Sequence, residues 1–565
     1  MRTNHQYVIL GAGAAGLQAA YYLEQAGADY CVLEKSTSAG TFYKKYPRRR
    51  QLISFNRTNT IFKCPKVNLR FDWNSLLTDD YSFPFANYST SLYPNADDLA
   101  RYLQGFADKY KLSIKYNHEV RQVSRPHDAG DGFLINLTSG DEIHAETLIV
   151  ASGFGKPFIP EVPGIELTEG YEDVDISPEG FQGKRVLVIG KGNSAFEVAD
   201  IALDHASLVH MASPRAVKLA WQSRHPGHVR ANHVRLLDSY QLKLLNGTLD
   251  CDLLSISKHE DCLKAVVSYV HADGEQEELV YDRIIRCAGF KFDTSLFEGA
   301  IKPETVLGGK LPATTPFWES VNIKNLFFAG TLTQARDFKK SSSAFIGGYR
   351  YNTRTLCRYL LGSKDVKGCS KTLATTEIKP LAEKILERCN TNSALWAQFG
   401  YLSDILIKRD DSYEWYEEVP YQALSEGLFH NEVHLLSLTF EWGEWAGDVM
   451  EVQRHPTASK AYTNVFLHPI LRRYRYGKLI AEHHLLEDLF GVYSAEGEQG
   501  NVLSRGGMPI QQYHQVQHVE PLEAFLETNR SEKVYHDFLL AQSGDCNDEY
   551  DKRCAECSTS ATWDG

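Results

Sequence analysis

Nowhere in the 565 residues is there an apolar run of the ~20 residues that a membrane-spanning helix requires, so no such span is expected. Basic charge is in deficit. Lys and Arg number 60 against 72 Asp and Glu, a formal net charge of −12, which argues against a nucleic-acid partner. The 11 cysteines are scattered, without the dense spacing of a disulfide-stapled small domain, and this fits a reducing compartment. The first apolar run begins within a few residues of Met1, leaving no room for a signal peptide, so a cytoplasmic location is expected. A chain of this length should hold more than one domain.

Two segments run against this background. Lys44, Lys45, Arg48, Arg49 and Arg50 form a basic run in an acidic chain; such a run either contacts phosphate or an anionic substrate, or is a solvated loop. Cys554-Ala555-Glu556-Cys557, with Cys546 upstream, is a CxxC in flanks that have the composition of a flexible tail. It reads as a redox pair, as half a metal site, or as tail only.

What is present in duplicate is a glycine-rich turn after an apolar run. The first is Gly11-Ala12-Gly13-Ala14-Ala15-Gly16, directly after Tyr7-Val8-Ile9-Leu10. A buried parallel strand, a tight turn at Gly11, close backbone approach at Gly13 and close helix packing at Gly16 make a dinucleotide fingerprint. The helix from Leu17 to Gln25 aims its N-terminus at the phosphates. A second strand, Tyr30 to Leu33, ends in Glu34, about 20 positions on, where a carboxylate meets a ribose hydroxyl pair. This N-terminal position suits FAD. Lys35, next to Glu34, and Val120 are further candidate contacts.

The second turn is Gly190-Lys191-Gly192-Asn193-Ser194-Ala195, after Val186-Leu187-Val188-Ile189. Alanine replaces the third glycine, which the fingerprint allows. The next strand, Ser207 to Met211, ends in Ala212-Ser213-Pro214-Arg215 with no carboxylate. A guanidinium at Arg215 suits a 2′-phosphate, so this site is read as holding NADPH; the alternative is a solvated surface arginine.

The strand Thr147 to Val150 runs into Ala151-Ser152-Gly153, a turn expected to cross from one dinucleotide domain to the other, and Ile284 to Phe290 is a second of the same kind. Leu326-Phe327-Phe328-Ala329-Gly330-Thr331 fits a returning strand. Ser341 to Tyr359 fits a helix whose start at Ser341-Ser342-Ser343 would aim its dipole at the flavin. The expected fold is α/β: an FAD domain of residues 1–155 and 291–364, an inserted NADPH domain of 156–290, a mostly helical accessory domain of 365–540, and a tail of 541–565. Within the accessory domain, Leu381 to Arg388 and Ser393 to Ile407 read as helical, with strand-like pieces near Leu435 to Trp442. His514 and His518, four apart, read as ordinary histidines rather than metal ligands, and no metal is expected.

The segment Phe181 to Ala195 resembles the NADPH segment of flavin-containing monooxygenases, and Ala39-Gly40-Thr41-Phe42-Tyr43 resembles their flavin segment. A closer resemblance is to the FAD-dependent oxidoreductase domain-containing proteins. It is carried by Tyr46 to Ser54, Asp72 to Leu77, Gly192 to Glu197 and Asn464 to Pro469. It implies FAD and NADPH as cofactors, flavin contacts at Thr41 and Phe42, and a role for Asn56 beside the flavin; read by itself, Asn56 is as readily a turn residue. The chain departs from the monooxygenases in having no histidine in Glu169 to Asp175. The activity implied is NADPH-driven oxygenation of a small organic substrate by molecular oxygen through a C4a-(hydro)peroxyflavin. The alternatives are a disulfide reductase using Cys554 and Cys557, since Cys64 stands alone in the 40–65 stretch, and a flavoprotein scaffold that holds a partner.

Overall fold

Tyr7 to Leu10 forms the buried end of the strand Arg2–Leu10. It lies parallel to Tyr30–Leu33 on one side and to Glu142–Val150 on the other. The computed structural model describes residues 2–125, 132–452 and 454–528; Cys546, Cys554 and Cys557 lie outside the described residues. The strand Glu142–Val150 shows how one segment serves two neighbours. Its first half alternates between buried and less buried residues and pairs antiparallel with Phe133–Leu137. Its last four residues are all buried, and there Leu326–Phe328 pairs parallel beside Leu148 to Val150. Alternation marks a half-covered antiparallel edge and a continuous apolar run marks a parallel strand covered on both faces. Leu326–Phe328 is thus the expected returning strand, in a seven-stranded sheet.

The second sheet also has seven strands. Arg185–Ile189 lies between Leu208–Ser213 and Arg283–Arg286, parallel to both. The two chain crossings between the sheets lie side by side, with Gly155–Pro157 pairing antiparallel with Phe290–Phe292. Two Rossmann-like halves, one inserted in the other, are therefore present. The helix Ala96–Lys109 starts as its sequence dictates: Asn95 accepts the Asp97 amide, Asp97 and Asp98 occupy the first turn, and Leu99, Tyr102, Leu103 and Phe106 are buried.

The chain forms two compact units, one of residues 1–371, 392–404 and 416–428, the other of 372–391, 405–415 and 429 onward. The second unit carries the helix Ile378–Thr391 and the antiparallel strands Leu435–Glu441, His468–Arg475 and Lys478–His484. The expected helices of the C-terminal part are thus joined by a six-stranded sheet, so strand is as prominent there as helix. The segment Ser393 to Ile407 shows why. Only Ala394–Ala397 is helical; Gly400 takes a left-handed φ of +63°, and Leu402–Lys408 is a strand. A short apolar run buried on both faces has no period that separates strand from helix. His514 and His518 bond to each other through Nδ1 at 2.9 Å, and their other nitrogens bond Glu498 and the Leu486 carbonyl. No described helix is long and apolar enough to cross a membrane.

Candidate active site

Leu10 delivers the chain to Gly11, which turns with φ +102° and donates its amide to the Leu33 carbonyl at 2.8 Å. A Cβ on Gly16 would stand 1.9 Å from the Gly11 carbonyl oxygen, so only hydrogen fits. Gly13 is glycine for another reason: no protein atom lies within 4 Å of where its Cβ would be. It precedes the helix Ala14–Gln25, with Ala14 and Ala15 in the buried first turn. Unpaired amides facing open space at a helix N-terminus suit a diphosphate. Glu34 is buried, and its carboxylate accepts the amides of Ala12 at 2.8 Å and Ser36 at 2.9 Å. The two amides hold it beside the glycine turn, the position from which a ribose is bound.

The second turn repeats this construction. Gly190, with φ +119°, donates to the Ala212 carbonyl at 2.8 Å, and no protein atom lies within 4 Å of a Cβ on Gly192. Gly192 precedes the helix Asn193–Ala202. Asn193 donates to the carbonyls of Gly227 and His228, and Ser194 lines a small, shallow cleft together with Glu172, Arg286 and Gly289. Ala195 is fully buried where the first motif has Gly16. Lys191 is the residue whose part the sequence hides. Its buried Nζ donates to the carbonyls of Ser213 and Arg215 and pairs with Asp250. It thereby holds the loop that presents Arg215, which is exposed. Lys310 and Lys339, from the returning segment, lie close by, their ammonium groups 4.9 and 5.6 Å from the centre of the Phe338 ring. Burial lowers the pKa of both, and Arg215 lowers each further. Four cations, Lys218 among them, thus share one neighbourhood, which suits a phosphate.

The remaining expected cofactor contacts are placed as follows. Ser152 is exposed and Gly153 takes φ +69° at the first crossing, beside Gly11. A Cβ on Gly330 would stand 2.7 Å from Ala15, so the returning segment meets the first-motif helix there. Lys35 is exposed just past Glu34, and Thr41 precedes the short helix Phe42–Lys45, where Phe42 is 57 % exposed. Val120 turns its side chain into the apolar core and pairs with Leu137.

Three expectations change. The basic run is divided: Lys44 and Lys45 are exposed, while Arg49 and Arg50 are drawn into ion pairs. Arg49 pairs with Asp200, its amide bonds Glu197, Lys45 pairs with Asp173, and Arg50 pairs with Asp97 at 2.6 Å. Arg49 staples a loop of the first half to the second, because the second-motif helix turns two buried acids, Glu197 and Asp200, toward it; the Lys45–Asp173 pair nearby is solvent-exposed. Burial raises the pKa of Glu197 despite its bonds from Arg49 and Tyr171. The serine-rich helix start is also displaced. The helix runs Ile346–Leu361, and Ser342, which lies ahead of it, donates its amide to Gln398, while Ser341 and Ser343 bond the same buried side chain. A glutamine some fifty residues on satisfies these serines better than an exposed cap would, and no sequence pattern announces it. Asn56, finally, is 1 % exposed and donates to the carbonyls of Ser89 at 2.7 Å and Ser91 at 3.3 Å, which leaves its buried Oδ1 without a protein partner. It clamps a loop and also presents an acceptor.

Comparison with known proteins agrees with this geometry. The sequence pattern of the family described as pyridine nucleotide-disulphide oxidoreductase matches residues 8–330. FAD-dependent oxidoreductase domain-containing protein 2 of Mus musculus is 33 % identical, over 93 % of this chain and 84 % of that protein. A probable indole-3-pyruvate monooxygenase of Arabidopsis thaliana is 28 % identical, over 37 % of this chain and 46 % of that protein. A flavin-containing monooxygenase structure from Stenotrophomonas maltophilia shares the fold over 64 % of this chain and all of its own, with a TM-score of 0.50 and 20 % identity.

Proposed function

Because the chain belongs to the pyridine nucleotide-disulphide oxidoreductase family, and within it with the FAD-dependent oxidoreductase domain-containing proteins, we propose that this flavoprotein oxidoreductase is an NADPH-driven monooxygenase. The overall change is NADPH, a proton, dioxygen and a small organic substrate going to NADP⁺, water and the substrate bearing one oxygen atom. FAD, when bound, supplies the relay of two electrons from NADPH to oxygen. The observation that carries the proposal is the duplicated cradle, with open space beside both Gly13 and Gly192. The first cradle, with Glu34 at its rim, suits FAD; the second, with Arg215, Lys218, Lys310 and Lys339, suits NADPH. The staple from Arg49 to the buried Asp200 and Glu197 ties the two halves together, which would help to orient two cofactors. Asn56, with a buried unpartnered oxygen, has an acceptor available for a proton-bearing group, which supports the role the resemblance gives it. Cys64 is a lone thiol in its stretch, and no disulfide joins the described cysteines; this favours oxygen over a disulfide as electron acceptor. The monooxygenases named above favour the same direction.

The test is stopped-flow mixing of the NADPH-reduced protein with oxygen. A transient at the blue edge of the oxidised flavin spectrum, followed by product oxygenation in step with NADPH use, is expected. Direct reoxidation without a transient, together with rapid reduction of a dithiol acceptor that depends on Cys554 and Cys557, would replace this reading with a disulfide reductase.

A further inference from the structure

Arg230 is an anomaly for an arginine. It is 6 % exposed, yet among the described residues it makes no ion pair and no side-chain hydrogen bond, and its Nη1 is buried without a partner. Burial lowers its pKa, and only the Tyr93 phenol opposes that. The neighbouring His233 offers no negative charge; burial, Arg49 and Arg230 push its pKa down to about 4. Buried guanidinium groups are otherwise paired, because removing the charge from water without a partner is costly.

The position of Arg230 is fixed at both ends. Its backbone amide donates to Asn193 Oδ1 at 3.1 Å, which ties it to the first residue of the second-motif helix. Its guanidinium is turned the other way, 4.5 Å from the centre of the Phe55 ring and 5.5 Å from that of Trp73. Phe55 adjoins Asn56, whose buried Oδ1 is also without a partner, as are Asn74 Oδ1 and His233 Nδ1 nearby. Trp73 in turn meets Phe345, the residue ahead of the helix Ile346–Leu361. A cation lacking its anion is thus held by the second half and presented against an aromatic pair of the first. The helix amides at Gly192 suit the diphosphate of a dinucleotide, whereas the guanidinium lies over Phe55 and Trp73.

We propose that Arg230 receives the carboxylate of an organic-acid substrate whose apolar body lies along Phe55 and Trp73. The fork of a guanidinium matches a carboxylate with two parallel hydrogen bonds, and ring faces favour a planar body. This rests on the monooxygenase reading, because it names the substrate class for that same site.

The experiment titrates the FAD-loaded full-length protein with phenylacetate and with its neutral isostere phenylacetamide, following the flavin spectrum. Loss of a charged pair should separate the two by roughly ten- to a hundredfold in Kd. Arg230→Gln should erase that separation with FAD content unchanged, and Arg230→Lys should keep part of it. Equal binding of acid and amide by the unaltered protein, or binding of neither, overturns the proposal without any variant. An Arg230→Gln protein that binds phenylacetate normally but loses NADP⁺ overturns it too, since the anion is then the dinucleotide's. Failure of the oxygenation reading would show instead as absence of the oxygen transient, with the acid–amide ratio untouched.

Discussion

The two glycine turns of this chain share a hydrogen-bond pattern and differ in how each is tightened. In the first, Gly11 and Gly16 meet so closely that a Cβ at Gly16 would lie 1.9 Å from a carbonyl oxygen, and a carboxylate at Glu34 binds the turn from the side. In the second, a methyl group at Ala195 is accommodated, no acid follows the strand, and Lys191 ties the turn to the Ser213 and Arg215 carbonyls. One cradle is closed by glycine and a carboxylate, the other by a lysine paired with Asp250, with Arg215, Lys218, Lys310 and Lys339 gathered nearby. On the proposed reading, the first suits a ligand that presents hydroxyls there and the second one that presents a phosphate, so that specificity would reside one strand beyond the glycines.

The largest expected effect separates the two third positions. Gly16→Val should destabilise the protein by about 3 kcal/mol or more and abolish flavin binding, because the clash is with backbone. Ala195→Gly should cost no more than about 1 kcal/mol, the price of a glycine in a helix. Thermal melts and flavin absorbance of the pair measure the contrast directly. Next come the glycines that face open space. Gly13→Val should fold normally and lose FAD, while Gly192→Val should keep FAD and lose NADPH. Equal loss of both ligands in either variant would break the assignment of one ligand to each cradle.

Smaller effects sharpen the difference in charge. Arg215→Ala should weaken NADPH by about 1.5–3 kcal/mol, roughly ten- to a hundredfold, and spare NADH; binding titrations with both cofactors test it. Asn56→Ala should cost about 1 kcal/mol of stability through its lost bonds to Ser89 and Ser91 and should shorten the oxygen transient. The buried acid of the second motif adds a pH signature. Burial raises the pKa of Glu197, so its proton is held more tightly in the folded state than in the unfolded chain. Its contribution to stability is therefore fully present at low pH and declines as pH rises through the folded pKa. Glu197→Gln should flatten that decline in melts taken across the acidic range.

The parts legible in the sequence were those set by neighbours along the chain. Strand, turn, helix and acid fall within some 25 residues at Gly11 and are seen without any fold. What escaped notice depends on residues distant in sequence. Nothing in Arg48-Arg49-Arg50 says that Glu197 and Asp200 will face it, and nothing in Ser341-Ser342-Ser343 anticipates Gln398. Lys191 was visible inside its motif, but its partner Asp250 stands beyond the next strand. Arg230 carries no local signal at all, since what distinguishes it is the lack of a partner. The strand at Leu402–Lys408 was lost for a different reason: complete burial erases the periodicity from which strand or helix is read.

The paired crossings have a consequence for how this molecule could be rebuilt. Gly155–Pro157 and Phe290–Phe292 run as a two-stranded ribbon, and the Phe158 amide bonds the Gly289 carbonyl at 2.8 Å. The second nucleotide half therefore enters and leaves through one narrow doorway whose two jambs already touch. A tight loop of two to five residues spans such a gap. Residues 158–289 should therefore behave as a cassette: excised, they would leave ends that a hairpin can rejoin, and a cassette taken from a relative would have to reproduce the ribbon, the Arg49 staple and the contact of Arg230 with Phe55 and Trp73.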